Sequence, residues 1–189
     1  SGNTMWWQVR YDGDNMITYK NFELDSVVPD SLKTGNWRDE RLNYSVLSSI
    51  GSDFENGGYG LEKDEGWNGY KIVKTSPLFL NTTIKKGVVL SVPTLEYDGI
   101  PLVFINGAPQ IDTSQVNFYK QVLLGYDKGY RYGETYGTFI VFQKTSKSGV
   151  VINTGSTNWC KEGFTGESKE EIKKLTYNFI DFLIKGKSV

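Results

Sequence analysis

Four tyrosines, Tyr126, Tyr130, Tyr132 and Tyr136, share the span 126–136 with Asp127, Lys128, Arg131 and Glu134, spaced by Gly129 and Gly133. Tyrosine combines a large contact area with a hydrogen bond at low entropic cost. Tyr130, Arg131 and Tyr132 are therefore candidate ligand-binding residues. Glu134 is the candidate catalytic residue, a general acid or base on condition that burial raises its pKa. An aromatic hairpin whose rings cover a sheet accounts for the same residues without a ligand.

The second polar constellation is Asn153-Thr154-Gly155-Ser156-Thr157-Asn158-Trp159. Backbone N–H groups of such a turn, with the Ser156 and Thr157 hydroxyls, could hold an anion or a substrate carbonyl. Equally, Asn153 could satisfy the turn while Trp159 packs beneath it. Asn153, Ser156, Thr157 and Trp159 join the ligand-binding candidates on that basis. Arg10 and Arg38, each close to tryptophan, could recognise a carboxylate or stack on an indole ring.

Histidine is absent from the chain. No Ser-His-Asp or Cys-His arrangement can be assembled within it, and the commonest zinc ligand is missing. The single cysteine, Cys160, has no imidazole to activate it and reads as a buried structural thiol. Chemistry would fall to carboxylates, tyrosines and lysines, or to a residue from another chain.

Positioning these residues requires a sheet. Apolar runs at 70–73, 88–92, 102–105, 121–124 and 138–142 are separated by Gly, Pro, Asn and Asp, which predicts a mostly β middle third with antiparallel neighbours. Residues 149–152 form a further strand that feeds the 153–159 turn. Residues 5–10 and 16–19 flank Asp12-Gly13-Asp14-Asn15 in a hairpin pattern, with Asp12 and Asp14 as turn residues because the rest of a calcium loop is missing. A strand is expected over 44–50. Residues 57–60 are expected as a loop lacking the spacing of a nucleotide cradle, and Glu96-Tyr97-Asp98 as a solvated turn. The last element is a helix: Ser168-Lys169-Glu170-Glu171 has the form of a capping box. Ile172, Leu175, Phe179, Phe182 and Leu183 fall on one face of it, and Gly186 stands where a C-terminal cap belongs.

The charge balance, 21 basic against 22 acidic residues, leaves no electrostatic footprint for nucleic acid or an anionic membrane. No apolar run approaches the roughly 18 residues needed to span a bilayer. With 189 residues and 38% apolar content, the chain can bury the core of one domain. Its expected location is the cytoplasm, with secretion left open, since a lone cysteine says little about redox compartment.

Three segments occur in a telling order: Asn3-Thr4-Met5-Trp6-Trp7-Gln8-Val9-Arg10-Tyr11 with Met16-Ile17-Thr18-Tyr19-Lys20, then Trp37-Arg38-Asp39, then Val151-Ile152-Asn153-Thr154-Gly155-Ser156-Thr157-Asn158-Trp159. Together they resemble the C-terminal region of the N,N-dimethylformamidase large (beta) subunit-like proteins. The resemblance runs over nearly the whole chain, most specifically in Trp-Trp-x-Val-Arg and Asn-x-Gly-[Ser/Thr]-x-x-Trp, and loosely in the middle β region. It implies a class I glutamine-amidotransferase-like fold of α+β or α/β class in a bacterial protein. Residues 1–189 would then be a single domain forming the C-terminal part of a larger unit, with a β-rich elaboration over about 37–145 and a docked C-terminal helix. A sheet edge beside residues 5–10 would invite pairing with another chain or a second copy.

Amide hydrolases of that family hold a mononuclear iron with two tyrosinates and a glutamate. The resemblance places none of these ligands here: the tyrosines belong to an upstream half, and Thr34-Gly35-Asn36-Trp37-Arg38 has no glutamate where the hydrolases have Gly-Glu. Two functions follow as expectations. One is an amidotransferase-like domain, non-catalytic alone, that binds a small polar ligand or a partner chain. The other is part of an amide (C–N) hydrolase whose iron ligands lie outside this chain.

Overall fold

The computed structural model describes the backbone of residues 8–12 and 15–19 together with residues 45–60, 68–92, 94–186 and 189. Trp37, Arg38 and the segment around them lie outside the described residues, as does Tyr44. In chain order the elements are β1 (Gln8–Asp12), β2 (Asn15–Tyr19), α1 (Leu47–Ile50), β3 (Asp53–Tyr59), β4 (Tyr70–Ile72), β5 (Val89–Leu90), β6 (Glu96–Gly99), β7 (Leu102–Ile105), β8 (Ala108–Ile111), β9 (Lys120–Tyr130), β10 (Glu134–Gln143), β11 (Val150–Asn153) and α2 (Lys169–Ile184). Single 3-10 turns occur at Pro77–Phe79 and Glu162–Phe164. The result is a mixed α+β fold, as expected.

Seven strands build one antiparallel sheet in the order β11-β10-β9-β3-β6, with β4 bridging from β9 to β5. The β1–β2 and β7–β8 hairpins are separate two-stranded units. The pattern behind this sheet is clearest in β10. Its side chains Phe139 and Val141 join a cluster with Tyr70, Leu124, Trp159 and Phe179, while Ile140 and Phe142 join another with Ile100, Val116, Phe118 and Leu123. A strand buried on both faces reads as a continuous apolar run. Helix α2 covers the first face, and the β7–β8 hairpin with the segment following it covers the second through Leu102, Ile111, Val116 and Phe118.

The docked helix is confirmed, with two local differences. Ile172, Leu175, Phe179 and Phe182 are buried, whereas Leu183 is 46% exposed; one further residue turns the chain about 100° away from the core stripe. The capping box does not form. Ser168 has φ −91 and ψ 18, not the extended backbone of an N-cap, and its side chain caps nothing. The Glu171 carboxylate instead accepts the Thr83 backbone N–H at 2.9 Å, and Asn178 donates to the Leu78 and Leu80 carbonyls at 2.7 and 2.8 Å. The helix is thus pinned by side chains to the segment after β4. At the other end Gly186 has φ +60 and terminates the helix as the sequence predicts.

Other expectations are corrected. The end of the 44–50 stretch is the short helix α1, closed by Gly51 at φ +80. Residues 57–60 are not a loop: Gly57 and Gly58 belong to β3, where a Cβ on Gly57 would lie 2.0 Å from the Tyr97 carbonyl oxygen. Glycine is there because two backbones approach closely. Glu96-Tyr97-Asp98 is not a solvated turn but strand β6, with Tyr97 fully buried. Cys160 is exposed rather than buried, since Trp159 takes the inward position of that turn.

Truncating Ile172, which is 0% exposed, to alanine should cost roughly 2–5 kcal/mol of unfolding free energy. Ile180→Ala, on the outer face of the same helix, should stay within about 0.5 kcal/mol. Urea denaturation of both variants checks this; equal losses would mean that the helix docks by a different face.

Candidate functional site

Residues 126–136 are the end of a hairpin rather than a flexible loop. The β9–β10 ladder runs from Lys120↔Gln143 to Tyr130↔Glu134, and the connection closes with Arg131 N–H donating to the Gly133 carbonyl at 3.1 Å. The four tyrosines divide into two pairs. Tyr126 and Tyr136 lie with ring centroids 6.0 Å apart, and Phe104 packs on them at 5.9 and 5.0 Å. That pair covers the sheet, as the alternative reading has it. Tyr130 and Tyr132 are 40% and 94% exposed.

Arg131 organises the tip. Its guanidinium donates to the Phe54 carbonyl at 2.9 Å, pairs with Glu55 at 2.8 Å, and lies 4.4 Å from the Phe54 ring centroid and 5.4 Å from that of Tyr132. A planar guanidinium can hydrogen-bond in its plane while stacking on rings above and below it. Tyr59 pairs with Tyr130 across β3 and β9, meets Phe54 edge-on at 5.2 Å and is 43% exposed. Tyr59, Tyr130 and Tyr132 are thus exposed near the end of the hairpin, with the Arg131 cation fixed beside Phe54 and Tyr132. Sequence reading missed Tyr59, because nothing local shows that the Gly57-Gly58 strand crosses to the hairpin.

Glu134 does not meet the condition set for a general acid or base. It is exposed, lies 2.6 Å from the Lys128 ammonium and accepts the Tyr136 hydroxyl. The Lys128 contact and then the Tyr136 bond hold its carboxyl below the usual glutamate range. Desolvation, followed by Glu134 itself, pushes Tyr136 up to about 12. The pair is charged carboxylate and neutral phenol at neutral pH.

The 153–159 turn is sewn into the sheet. Asn153 donates to the Ile50 carbonyl and to Ser52 Oγ at 2.7 and 2.8 Å, and accepts the Gly155 N–H at 2.8 Å. The Ser156 hydroxyl bonds Thr94 and accepts the Asn158 N–H at 3.2 Å. Thr157 gives both its N–H and its hydroxyl to the Glu96 carbonyl, at 3.1 and 2.8 Å. Trp159 is buried and donates to Thr176 Oγ1 at 3.0 Å. The Ser156 and Thr157 hydroxyls and the Gly155, Thr157 and Asn158 N–H groups are engaged within the chain, and the turn joins β6 to β11.

Beneath it lies a buried polar layer. Tyr70 is fully buried, donates to the Thr154 carbonyl, and is held well above the ordinary phenol range by desolvation, with Asp98 and Asp127 adding to the effect. Tyr97, shifted up by burial, meets Thr135 Oγ1 at 3.3 Å. Asp127 accepts backbone N–H groups from Asn68 at 2.5 Å, Gly69 at 2.8 Å and Lys128 at 2.8 Å, yet burial leaves its pKa raised. Among the described residues no three or more Asp, Glu, Cys or His side chains lie together so as to hold a metal ion.

A groove of about 580 Å³ lies elsewhere, between β4, β8 and β9, with Lys71, Lys74 and Lys86 on its walls and Val73, Ile111 and Leu123 among its apolar lining. No sequence motif marks it, because its walls come from strands distant in the chain.

In comparison with known proteins, a family model described as N,N-dimethylformamidase beta subunit-like, C-terminal, matches residues 1–163. Neither a curated protein nor a solved structure matches the chain.

A Cβ on Gly129 would sit 1.4 Å from the Tyr97 hydroxyl, so Gly129→Ala must displace that ring. A loss of roughly 1–3 kcal/mol is expected, read by urea denaturation; an unchanged midpoint would mean that the ring relocates freely. Asp127 and Asp112 should titrate on opposite sides of 3.8. Asp127 lies above it through burial, and Asp112 below it through bonds from Ser114 and Gln115. Folded Asp127 therefore binds its proton more tightly than the unfolded chain, and its effect on stability becomes more favourable as pH falls through its folded pKa. Asp112 behaves oppositely, its contribution fading as pH falls below 3.8. Carboxyl-detected NMR titration of both groups tests the order.

Proposed function

We propose a function from the premise that this chain belongs to the N,N-dimethylformamidase beta subunit-like, C-terminal family. Within that family, the described part of the chain serves assembly: it presents the hairpin tip of Tyr59, Tyr130, Arg131 and Tyr132 to another polypeptide and is not itself the catalytic centre. The observation that carries this reading is Tyr132, 94% exposed while resting beside a guanidinium that is fixed by Phe54 and Glu55. Tyrosine and arginine dominate the binding energy of protein interfaces, most of all where they are pre-positioned. Tyrosines this exposed enclose little of a small molecule, whereas they can pack against another polypeptide. The family description itself names a subunit, which supports the same direction. A small polar ligand at Asn153, Ser156, Thr157 and Trp159 would have to displace bonds that already hold the turn.

A second reading rests on family membership. Here the sheet supplies walls to an amide hydrolase of glutamine-amidotransferase-like architecture, and the iron ligands are residues other than those described. Of the described tyrosines, Tyr70 and Tyr97 already direct their hydroxyls at Thr154 and Thr135. No step is assigned to iron in this chain.

Hydrogen exchange separates the readings. In the native assembly purified from its own cells, amides over 54–59 and 130–134 should exchange more slowly than in the isolated 189-residue chain. Tyr132→Ala should weaken assembly roughly thirtyfold, the loss of about 2 kcal/mol expected at a hot spot, with the melting temperature unchanged. Equal exchange in both states would sink the assembly role. Turnover of N,N-dimethylformamide by the assembly, unaffected by Tyr132→Ala, would favour the second reading.

A further inference from the structure

Helix α2 carries a second apolar stripe that nothing in the described chain covers. Tyr177, Ile180 and Ile184 follow Lys173 at spacings of four, three and four residues, the alternation that faces one neighbouring helix. Tyr177 and Ile184 are 75% and 79% exposed, and Leu183 beside them is also exposed. At the N-terminal half of this stripe is a depression of about 390 Å³ lined by Phe164, Lys173, Thr176, Tyr177 and Ile180.

The stripe is complementary to itself. When two copies of α2 are laid antiparallel about a two-fold axis passing between Tyr177 and Ile180, Tyr177 of each faces Ile180 of the other. Lys173 then faces Ile184 of the second copy. That register brings the projecting Ile184 of each copy to the depression beside Phe164 and Lys173 of the other, a knob at one end of the helix and a hole at the opposite end. The flanking positions are also matched in charge. Lys174 and Asp181 each follow a stripe residue directly, so in the antiparallel register Lys174 of one copy comes beside Asp181 of the other, and the symmetry repeats the pair. A self-complementary patch of this kind is what a closed two-fold interface requires. A parallel pairing would instead set Lys173 against Lys173 in the seam.

We propose that the outer face of α2 is a two-fold interface with a second copy of this chain, seated by Ile184 in the Phe164–Lys173 depression and registered by Lys174 with Asp181. This surface shares no residue with the tyrosine tip and stands whether or not the assembly role is correct. One helix pair is a small interface, at the weak end of specific contacts.

Sedimentation velocity of the full chain, from low-micromolar to sub-millimolar concentration, reads the equilibrium directly. A dimer should grow in at the upper end. Ile180→Lys should abolish it with circular dichroism and melting temperature preserved, because that side chain is exposed. Asp181→Lys should weaken it about tenfold by opposing like charges, and adding Lys174→Asp should restore it. Loss of the Asp181–Lys185 pair within the helix would not be repaired by that second change, so recovery reports the contact between copies. A monomer at every concentration, a dimer indifferent to Ile180→Lys, or a double variant that fails to recover overturns the proposal.

Discussion

Burial of β10 on both faces is the constraint from which the architecture follows. Phe139 and Val141 point into one cluster and Ile140 and Phe142 into the other, all nearly inaccessible to water. Each such side chain gains roughly 1.5–3 kcal/mol when removed from water, so neither face can be left open. One face takes α2, whose Phe179 lies 5.7 Å from Phe139 and stacks on Trp159 at 5.9 Å. The other takes Phe118, stacked on Phe142 at 4.0 Å, with the β7–β8 hairpin beside it. Three layers result from a single strand that has no polar side to offer solvent.

The same constraint explains why polar residues that look like a site behave as fasteners. A strand covered on both faces can be approached by backbone polar groups only if their hydrogen bonds are met inside. Thr138, fully buried, accepts the Ile100 N–H at 3.0 Å, and the carbonyl of Gly155, a residue at φ +65, accepts the Asp98 N–H at 2.7 Å. The small-polar turn after β11 therefore spends its hydrogen-bonding capacity on β6. What it could do for a ligand is traded for holding an otherwise short strand in the sheet.

Residues beyond the reach of that core are freer to act on other molecules. The tyrosine tip stands where β9 and β10 outrun the covering layers, and Arg131 keeps it ordered without burying it. The outer stripe of α2 arises in a related way: the helix needs only one face for docking, yet its sequence is apolar on two. An amphipathic helix serving the core alone would place charged residues at 177, 180 and 184. Both surfaces lie outside the two core clusters, which is why the proposed contacts with other chains fall there.

Much of this was legible in the residues themselves. The apolar runs identified β4, β7, β10 and β11, the Ile172 to Phe182 periodicity identified α2 and the side it buries, and the Asp12 to Asn15 turn identified the first hairpin, because each is a local pattern of period two or 3.6. The family membership was carried by short signatures of the same kind. What the sequence alone left undecided are the features made by distant segments. Gly57 and Gly58 look like a loop until Tyr97 and Tyr130 approach them; Glu96 to Gly99 looks like a turn until β3 pairs with it. Ser168 and Glu171 spell a capping box, but Thr83 takes the carboxylate. Tyr59 joins Tyr130, and Phe104 separates two covering tyrosines from two exposed ones, only through contacts across the sheet. Local pattern determines which face of an element is apolar, whereas the competition for hydrogen bonds and close backbone approach is settled by whichever segment arrives from elsewhere in the fold.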